Sequence, residues 1–493
     1  MCLTIIKTMR AFGLFRLIVF TGCVLLFVVI ILGIPSDVGN AQTVGWSTPI
    51  RISEGEGFAY SPFVVSDTYG NLHIAWSENV ADPANYDLTL DTIFYASYSQ
   101  GGWSKPLDIF VAPIDGQARI NRLRIDASNR LHLLYVTRPS IVYANVQVDQ
   151  AENVRAWNTY EIAENAYIAD LFVTPDETVH IVYVSDRQGI YYIQSADGGV
   201  TWSTARTVYF MPSDSFSSGS VRLEIGNQGT MHVAWSVSSG EARWMPVWIS
   251  YARSTDGGNT WNSTLTVEEG DNYPNMIIDG EGNVHLLWDN LANTMTGRGH
   301  TLSMNDGVTW DKVHRIFPGL RGNTLWPVMG LDSAGTLYMV TGADSTLASG
   351  TRLFFSVWNG KDWEEPKIIS QDIEGSEAPS LMVSEGNKIN VVWCSYNPAQ
   401  YGIWYTSYRT SAPAIEPSSG LSTHSQPVLT TPTAALTNEV KATDTTQATI
   451  DLDAGEVVQV GRRSTGWPIV IAGDMVIGLI AMVYFIKLFG SRR

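Results

Sequence analysis

What this chain lacks narrows it before any motif does. Cysteine is nearly absent: there are three in 493 residues, two of them (Cys2 and Cys23) close to the N-terminus and only Cys394 in the body. A single thiol forms no intrachain disulfide framework and no cysteine-ligated zinc site, and nothing else calls for a metal or a cofactor. Charge is sparse and mostly of one sign, with charged residues at 16% and a formal net charge of −17. Such a chain cannot neutralise a row of phosphates, which excludes a nucleic-acid partner; its acidity serves solubility. Glycine, tryptophan and tyrosine are plentiful instead, at 43, 17 and 21 residues. That profile belongs to many short strands, aromatic packing and tight turns.

Long apolar runs occur only at the two ends. Lys7, Arg10 and Arg16 precede an apolar run over residues 17–34, and the small residues Gly39-Asn40-Ala41 follow. Residues 1–41 therefore read as a secretory signal, with a core long enough to stay as an uncleaved anchor. A second span, residues 466–488, is apolar apart from a few positions such as Asp474 and Lys487, and ends before Ser491-Arg492-Arg493. It reads as a transmembrane helix with residues 489–493 as a basic cytoplasmic tail. Residues 411–465 dissolve into Ser, Thr, Pro and Ala, as in Thr430-Thr431-Pro432-Thr433, and read as a disordered stalk. The expected protein is a monomer at the cell membrane, single-pass with its body extracytoplasmic, or two-pass if the signal is uncleaved.

Between the ends a unit of roughly fifty residues recurs. Its most regular strand reads Leu72-His73-Ile74-Ala75-Trp76, then Leu131-His132-Leu133-Leu134-Tyr135, Val179-His180-Ile181-Val182-Tyr183, Met231-His232-Val233-Ala234-Trp235 and Val284-His285-Leu286-Leu287-Trp288. Degenerate copies follow at residues 337–340 and 389–393. A turn signal such as Asp67-Thr68-Tyr69-Gly70-Asn71 precedes each copy, and before it lies a strand often opened by proline (Pro62, Pro274, Pro327, Pro379). A third strand follows, then a fourth expected to begin at Trp103, Trp157, Trp202, Trp261, Trp310 or Trp363. Four strands per repeat make one propeller blade.

Three repeats join their last two strands through the same eight-residue pattern, Ser-x-Asp/Asn-x-Gly-x-Thr-Trp. Its key residues are Ser195, Asp197, Gly199 and Trp202; Ser254, Asp256, Gly258 and Trp261; and Ser303, Asn305, Gly307 and Trp310. The Asp or Asn accepts from backbone N–H groups just after it, and glycine permits positive φ. The motif resembles the Asp box of the sialidase and BNR-repeat proteins, which implies an all-β propeller and a structural role for the box. Residues 45–410 would form the ring. Its opening stretch, Gly45-Trp46-Ser47-Thr48-Pro49-Ile50-Arg51-Ile52, matches the fourth strand beginning Gly102-Trp103-Ser104 and is expected to complete the last blade. Seven blades are favoured; six result if the second repeat, which lacks an Asp box, is an insertion.

Five of eight histidines share one register. One per blade places them too far apart to share a metal ion, so they read as packing groups. The resemblance to sialidases implies three arginines gripping a carboxylate, a tyrosine–glutamate nucleophile and an acidic proton donor. Yet Tyr60-Ser61-Pro62 stands where the family has Arg-Ile-Pro, and Ala378-Pro379-Ser380-Leu381 where it has Tyr-Ser-x-Leu. Glu78 matches a family glutamate; with Asp91 and Asp289 it is a weak catalytic candidate. Ligand-binding candidates on the variable loops are Arg138, Arg187, Arg243, Arg298 and Arg352, with Tyr60, Trp244, Trp326 and Tyr401 as stacking surfaces. The favoured expectation is a surface-displayed propeller binding a glycan or a surface protein. The alternatives are an exo-acting sialidase-type glycoside hydrolase with rearranged groups, and a structural envelope component contacting only neighbouring proteins.

Overall fold

The computed structural model describes residues 45–418, apart from positions 56, 83–84, 113–115, 139, 212, 214, 240–245, 263–264, 270, 291–296, 322–325, 346–347 and 371. The expected signal, the stalk beyond residue 418, the span at 466–488 and the basic tail lie outside the described residues. Among the described residues the chain is a ring of seven antiparallel sheets. Blade 1 runs Phe58–Ser66, Leu72–Asp82, Asn85–Ser99 and an outer strand split into Gly102–Trp103 and Leu107–Val111. Blades 2 to 5 begin at Arg119–Ile125, Ala166–Val173, Phe216–Ile225 and Asp271–Ile278. Blade 6 has a broken inner strand, Leu320–Arg321 and Val328–Leu331, and blade 7 begins at Ser376–Ser384.

The second repeat is a full blade. Arg119–Ile125, Arg130–Val136, Ile141–Gln147 and Asn158–Ala163 pair in order, and the long connection before the last strand is two short 3₁₀ turns pinned by Trp157 Nε1 donating to Ala151 O at 3.1 Å. The six-blade alternative is thereby removed. The N-terminal strand closes the ring: Ile50 faces Tyr405 and Arg51 faces Trp404, with Ser47 N donating to Ser407 O at 2.8 Å. Residues 411–418, expected as the start of the stalk, instead run along the turn face. Asn387 Nδ2 donates to Ala412 O at 3.0 Å, Ile415 N to Glu385 O at 2.8 Å and Ser418 N to Thr68 O at 2.8 Å, so this segment spans from blade 7 to blade 1.

The repeated residues do their work between blades. In the Asp box, Asp197 Oδ1 accepts from Thr201 N at 2.9 Å and Ser195 Oγ accepts from Gly199 N at 2.8 Å. This presents Trp202 edge-on to Tyr143 of the preceding blade at 5.3 Å. The same contact recurs as Trp261 on Tyr192, Trp310 on Tyr251, Trp157 on Tyr95, Trp103 on Tyr405 and, with a histidine as the ring, Trp363 on His300. Each such pair adds about 0.5–1.5 kcal/mol beyond its buried area. Most of these tryptophans end the turn rather than enter the fourth-strand ladder; only Trp103 is itself in a strand. The register histidines orient those tyrosines: His73, His132, His180 and His232 Nδ1 lie 2.6–2.8 Å from the hydroxyls of Tyr95, Tyr143, Tyr192 and Tyr251. On the far side His132 Nε2 meets the turn carboxylate of Asp126 at 3.0 Å, so each ring ties turn, strand and neighbouring blade together.

Candidate functional site at the mouth and lumen of the ring

First strands line the central channel, and six of the seven carry a register shift near their start. In four the shifted residue has positive φ without being glycine: Ser61 (49°), Ser220 (40°), Tyr273 (55°) and Ala378 (49°). Proline follows three of them, at Pro62, Pro274 and Pro379. It removes a ladder donor and disfavours helical backbone before it, and the channel-facing strand is a sheet edge where proline is tolerated. Bulges of this kind re-aim side chains, here toward the mouth on the face opposite the Asp boxes.

Two aromatic groups frame that mouth. Phe58 stacks on Tyr396 at 4.9 Å and meets Tyr60 and Tyr401 at 5.9 and 5.8 Å, across blades 1 and 7. Tyr273 and Trp326 meet edge-on at 4.8 Å across blades 5 and 6. Between them stands Glu377, whose carboxyl is pushed up to about 8 by burial and by the charges of Asp344 and Asp289. Arg119, half-buried at the start of blade 2, makes no hydrogen bond or ion pair with the described residues. Its charge reaches both Tyr273 and Tyr396.

Deeper in the lumen lies a charged cluster from blades 2, 3 and 4. Arg122 grips Asp170 through both Nε and Nη2, the latter at 2.9 Å, and Arg124 Nη2 reaches Glu224 Oε1 at 3.3 Å. Arg122 also lies over Phe63, Arg124 over Phe172 and Arg222 over Trp326, with centroid distances of 5.6, 5.6 and 4.6 Å. Burial pushes Asp170 up, but the charge and hydrogen bonds of Arg122 bring it below the usual carboxylate range. Burial and the charge of Arg122 bring Arg222 down to about 9.

Of the residues singled out in the sequence, Tyr60, Tyr401 and Trp326 come together at the mouth. Arg187 lies on the rim over Tyr167 at 5.4 Å, and Arg138 is on an exposed loop. Arg298 and Asp289, expected on ligand-reading loops, are instead fully buried and paired at 3.3 Å, with Arg298 Nε also donating to Thr341 Oγ1 at 2.9 Å. They tie blade 5 to blade 6. Arg352 is mostly buried against Glu374 at 3.2 Å. Glu78 is buried, its pKa raised by that burial, and accepts from Trp76 Nε1 at 3.0 Å; Asp91 accepts from Asn79 Nδ2 at 2.9 Å. Arg243 and Trp244 lie outside the described residues. Unforeseen are Arg119, Arg122, Arg124, Asp170, Arg222, Glu224, Tyr273 and Glu377. The signal was present: Arg-Ile-Asn-Arg-Leu-Arg-Ile puts three arginines on a strand whose counterpart in blade 1 carries no charge.

The BNR repeat-like domain family matches residues 32–286, more than half of the chain. No curated protein matches by sequence. Among solved structures, an ulvan lyase of polysaccharide lyase family PL25, bound to -[GlcA(1-4)Rha3S]-, shares 11% identity at a TM-score of 0.53, covering 74% of this chain and 96% of its own. A second polysaccharide lyase shares 8% identity at a TM-score of 0.50, covering 75% and 93%. An α-L-arabinofuranosidase from Fusarium graminearum shares 11% identity at a TM-score of 0.43, covering 74% and 98%. Identities this low establish the fold alone.

Proposed function

Because this chain belongs to the BNR repeat-like domain family, we propose that it is a membrane-anchored extracytoplasmic propeller that binds an acidic glycan at its channel mouth. The observation that carries this reading is Arg119, a guanidinium with no hydrogen bond or ion pair among the described residues, whose charge reaches Tyr273 and Tyr396. Guanidinium forks suit carboxylates and sulfates, and tyrosine and tryptophan faces suit sugar rings. The saccharide held by the ulvan lyase of similar fold is of this acidic class. Turn chemistry fixes the opposite face and leaves the mouth to vary, and anchoring by residues 466–488 would display the ring outside the cell.

Glycan-array screening of the full-length protein, followed by titration, tests this. Acidic glycans should bind, and Arg119→Ala should weaken them about 10–100-fold, the worth of a charge-assisted hydrogen bond. Undiminished binding by that variant, or no acidic glycan bound, sinks the proposal.

A second reading draws on Glu377. A carboxyl with a pKa of about 8 keeps its proton at neutral pH and could protonate a leaving oxygen, as an exo-acting glycoside hydrolase requires. Turnover of a fluorogenic sialoside that disappears in Glu377→Gln supports it; no turnover leaves binding as the function.

A further inference from the structure

Blades 1 to 4 each set the register histidine against a tyrosine hydroxyl, but blade 5 puts His300 in the tyrosine's place. The position is the same one, since Ala75 faces Tyr95 in blade 1 and Leu287 faces His300 in blade 5. His285 Nδ1 lies 3.2 Å from His300 Nε2, and the two buried rings stack at 5.4 Å with 15° between their planes. On its other side His285 Nε2 meets Asp279 Oδ2 at 3.3 Å, and His314 faces His300 from the last strand of blade 5. Blade 6 closes over the pair with Trp358, 5.6 and 5.0 Å from the two rings, and with Trp363, 5.7 Å from His300.

This exchange changes what acid does to the joint. A tyrosine hydroxyl both donates and accepts, so a histidine set against it keeps its bond on gaining a proton. Two facing imidazole nitrogens share a single hydrogen instead. Asp279 can hold the first added proton on His285, but a second one sets N–H against N–H between two like charges in a dry joint. Burial, with the charges of His285 and His314, accordingly holds His300 down to about 3, and burial lowers His285 too. The joint is therefore most secure above the ordinary imidazole value of about 6.5 and weakens as pH falls toward the folded one.

We propose that the joint between blades 5 and 6 is an acid-operated switch, in which proton uptake by the His285–His300 pair parts blade 5 from the indoles of Trp358 and Trp363. Tyr273 and Trp326 meet across the same two blades, so the loosening reaches one side of the mouth. The switch lies in the joint itself and stands whether or not the mouth binds a glycan.

Hydrogen exchange of the full-length protein at pH 7 and at pH 5, expressed as the protection of each strand, is the test. Opening that frees His300 becomes about 25-fold easier between those two values. Protection of Arg298–Ser303 and Leu337–Ser345 should fall by about that factor, and by more than that of Asn85–Ser99 and Arg119–Ile125 at the joint of blades 1 and 2. His300→Tyr, which restores the pair of blades 1 to 4, should keep the protection seen at pH 7 and remove most of the fall. Equal protection at both pH values, a fall shared equally by the two joints, or a full fall persisting in His300→Tyr each overturns the switch, and the first two need no variant to fold. A fall that extends to Asp271–Ile278, which carries Tyr273, supports the reach to the mouth; unchanged protection there overturns that reach.

Discussion

Replacing Asp170 by asparagine measures what the lumen charges contribute. Asp170 is fully buried and accepts from Arg122 Nε and Nη2 and from the backbone of Leu171 and Leu223. Asparagine preserves the shape but removes the charge and turns an NH₂ toward donors, leaving three guanidiniums facing Glu224 alone. Removing one partner of a buried pair costs about 3–5 kcal/mol. With about 2.1 cal/mol/K of unfolding entropy per residue, a ring of roughly 370 residues loses about 1.3 °C per kcal/mol, so Tm should fall by about 4–6 °C at pH 7, read by calorimetry. Removing both partners, as in Arg122→Met with Asp170→Leu, should not recover that loss, because the buried N–H groups of Leu171 and Leu223 would still lack their acceptor. The pH dependence has a definite sign. The folded pKa of Asp170 lies below its ordinary 3.8, so its contribution is complete above that value and fades as pH falls through the folded value; the deficit of the asparagine variant should shrink accordingly. A Tm within about 1 °C of the parent at pH 7 would refute the idea that Asp170 holds the arginines in place.

Gly257 and Gly258 make a paired test of the Asp box. Both have positive φ, but a Cβ at 258 would strike the Tyr192 ring whereas one at 257 meets open space, so Gly257→Ala should cost about 1–2 kcal/mol and Gly258→Ala clearly more, by chemical denaturation. Burial brings His180 and His232 down to about 4, so both are neutral in the fold and protonated more readily once unfolded. Stability should therefore decline as pH falls from about 6.5 to about 4, and His180→Gln should flatten part of that slope. Ending the chain after Thr410 rather than after Ser418 removes the segment bonded to Asn387, Glu385 and Thr68; about 1–3 kcal/mol of stability should go with it, seen as a lower Tm.

The ring was legible because its rivets are local letters with a long-range meaning. A tryptophan some sixty residues after a tyrosine looks like composition until the register histidine beside that tyrosine and the positive-φ glycine beside that tryptophan are read as one contact repeated between blades. Ring closure was legible for the same reason: Ser47 to Ile52 repeats the letters of an outer strand that has no inner three. What escaped was the fate of individual loop arginines. Arg298 and Arg352 stand in the sequence among polar residues at strand ends, and nothing there shows that each is roofed by the next blade. Residues 411–418 escaped because their bonds are backbone and single-side-chain contacts that carry no compositional mark.

The lumen was missed through a misjudged oddity. The second repeat looked least like a blade because it lacks an Asp box and has a long connection before its last strand, while the charge on its first strand, Arg119–Ile125, passed unread and is the lumen's most informative mark. Charges come from blades 2, 3 and 4, whereas blades 1 and 6 bring Phe63 and Trp326 to the same level. The channel is therefore sided, with guanidiniums along one arc and ring faces opposite. A protein with a net charge of −17 repels polyanions at a distance, but that repulsion is screened beyond about 8 Å at physiological salt, while a guanidinium in a low-dielectric lumen acts undiminished on what lies against it. On the proposed reading, the acidic end of a chain can settle in the mouth while its charged remainder is kept off the surface. Discrimination of terminal from internal acidic residues would follow from that opposition of fields, without any loop closing over the ligand.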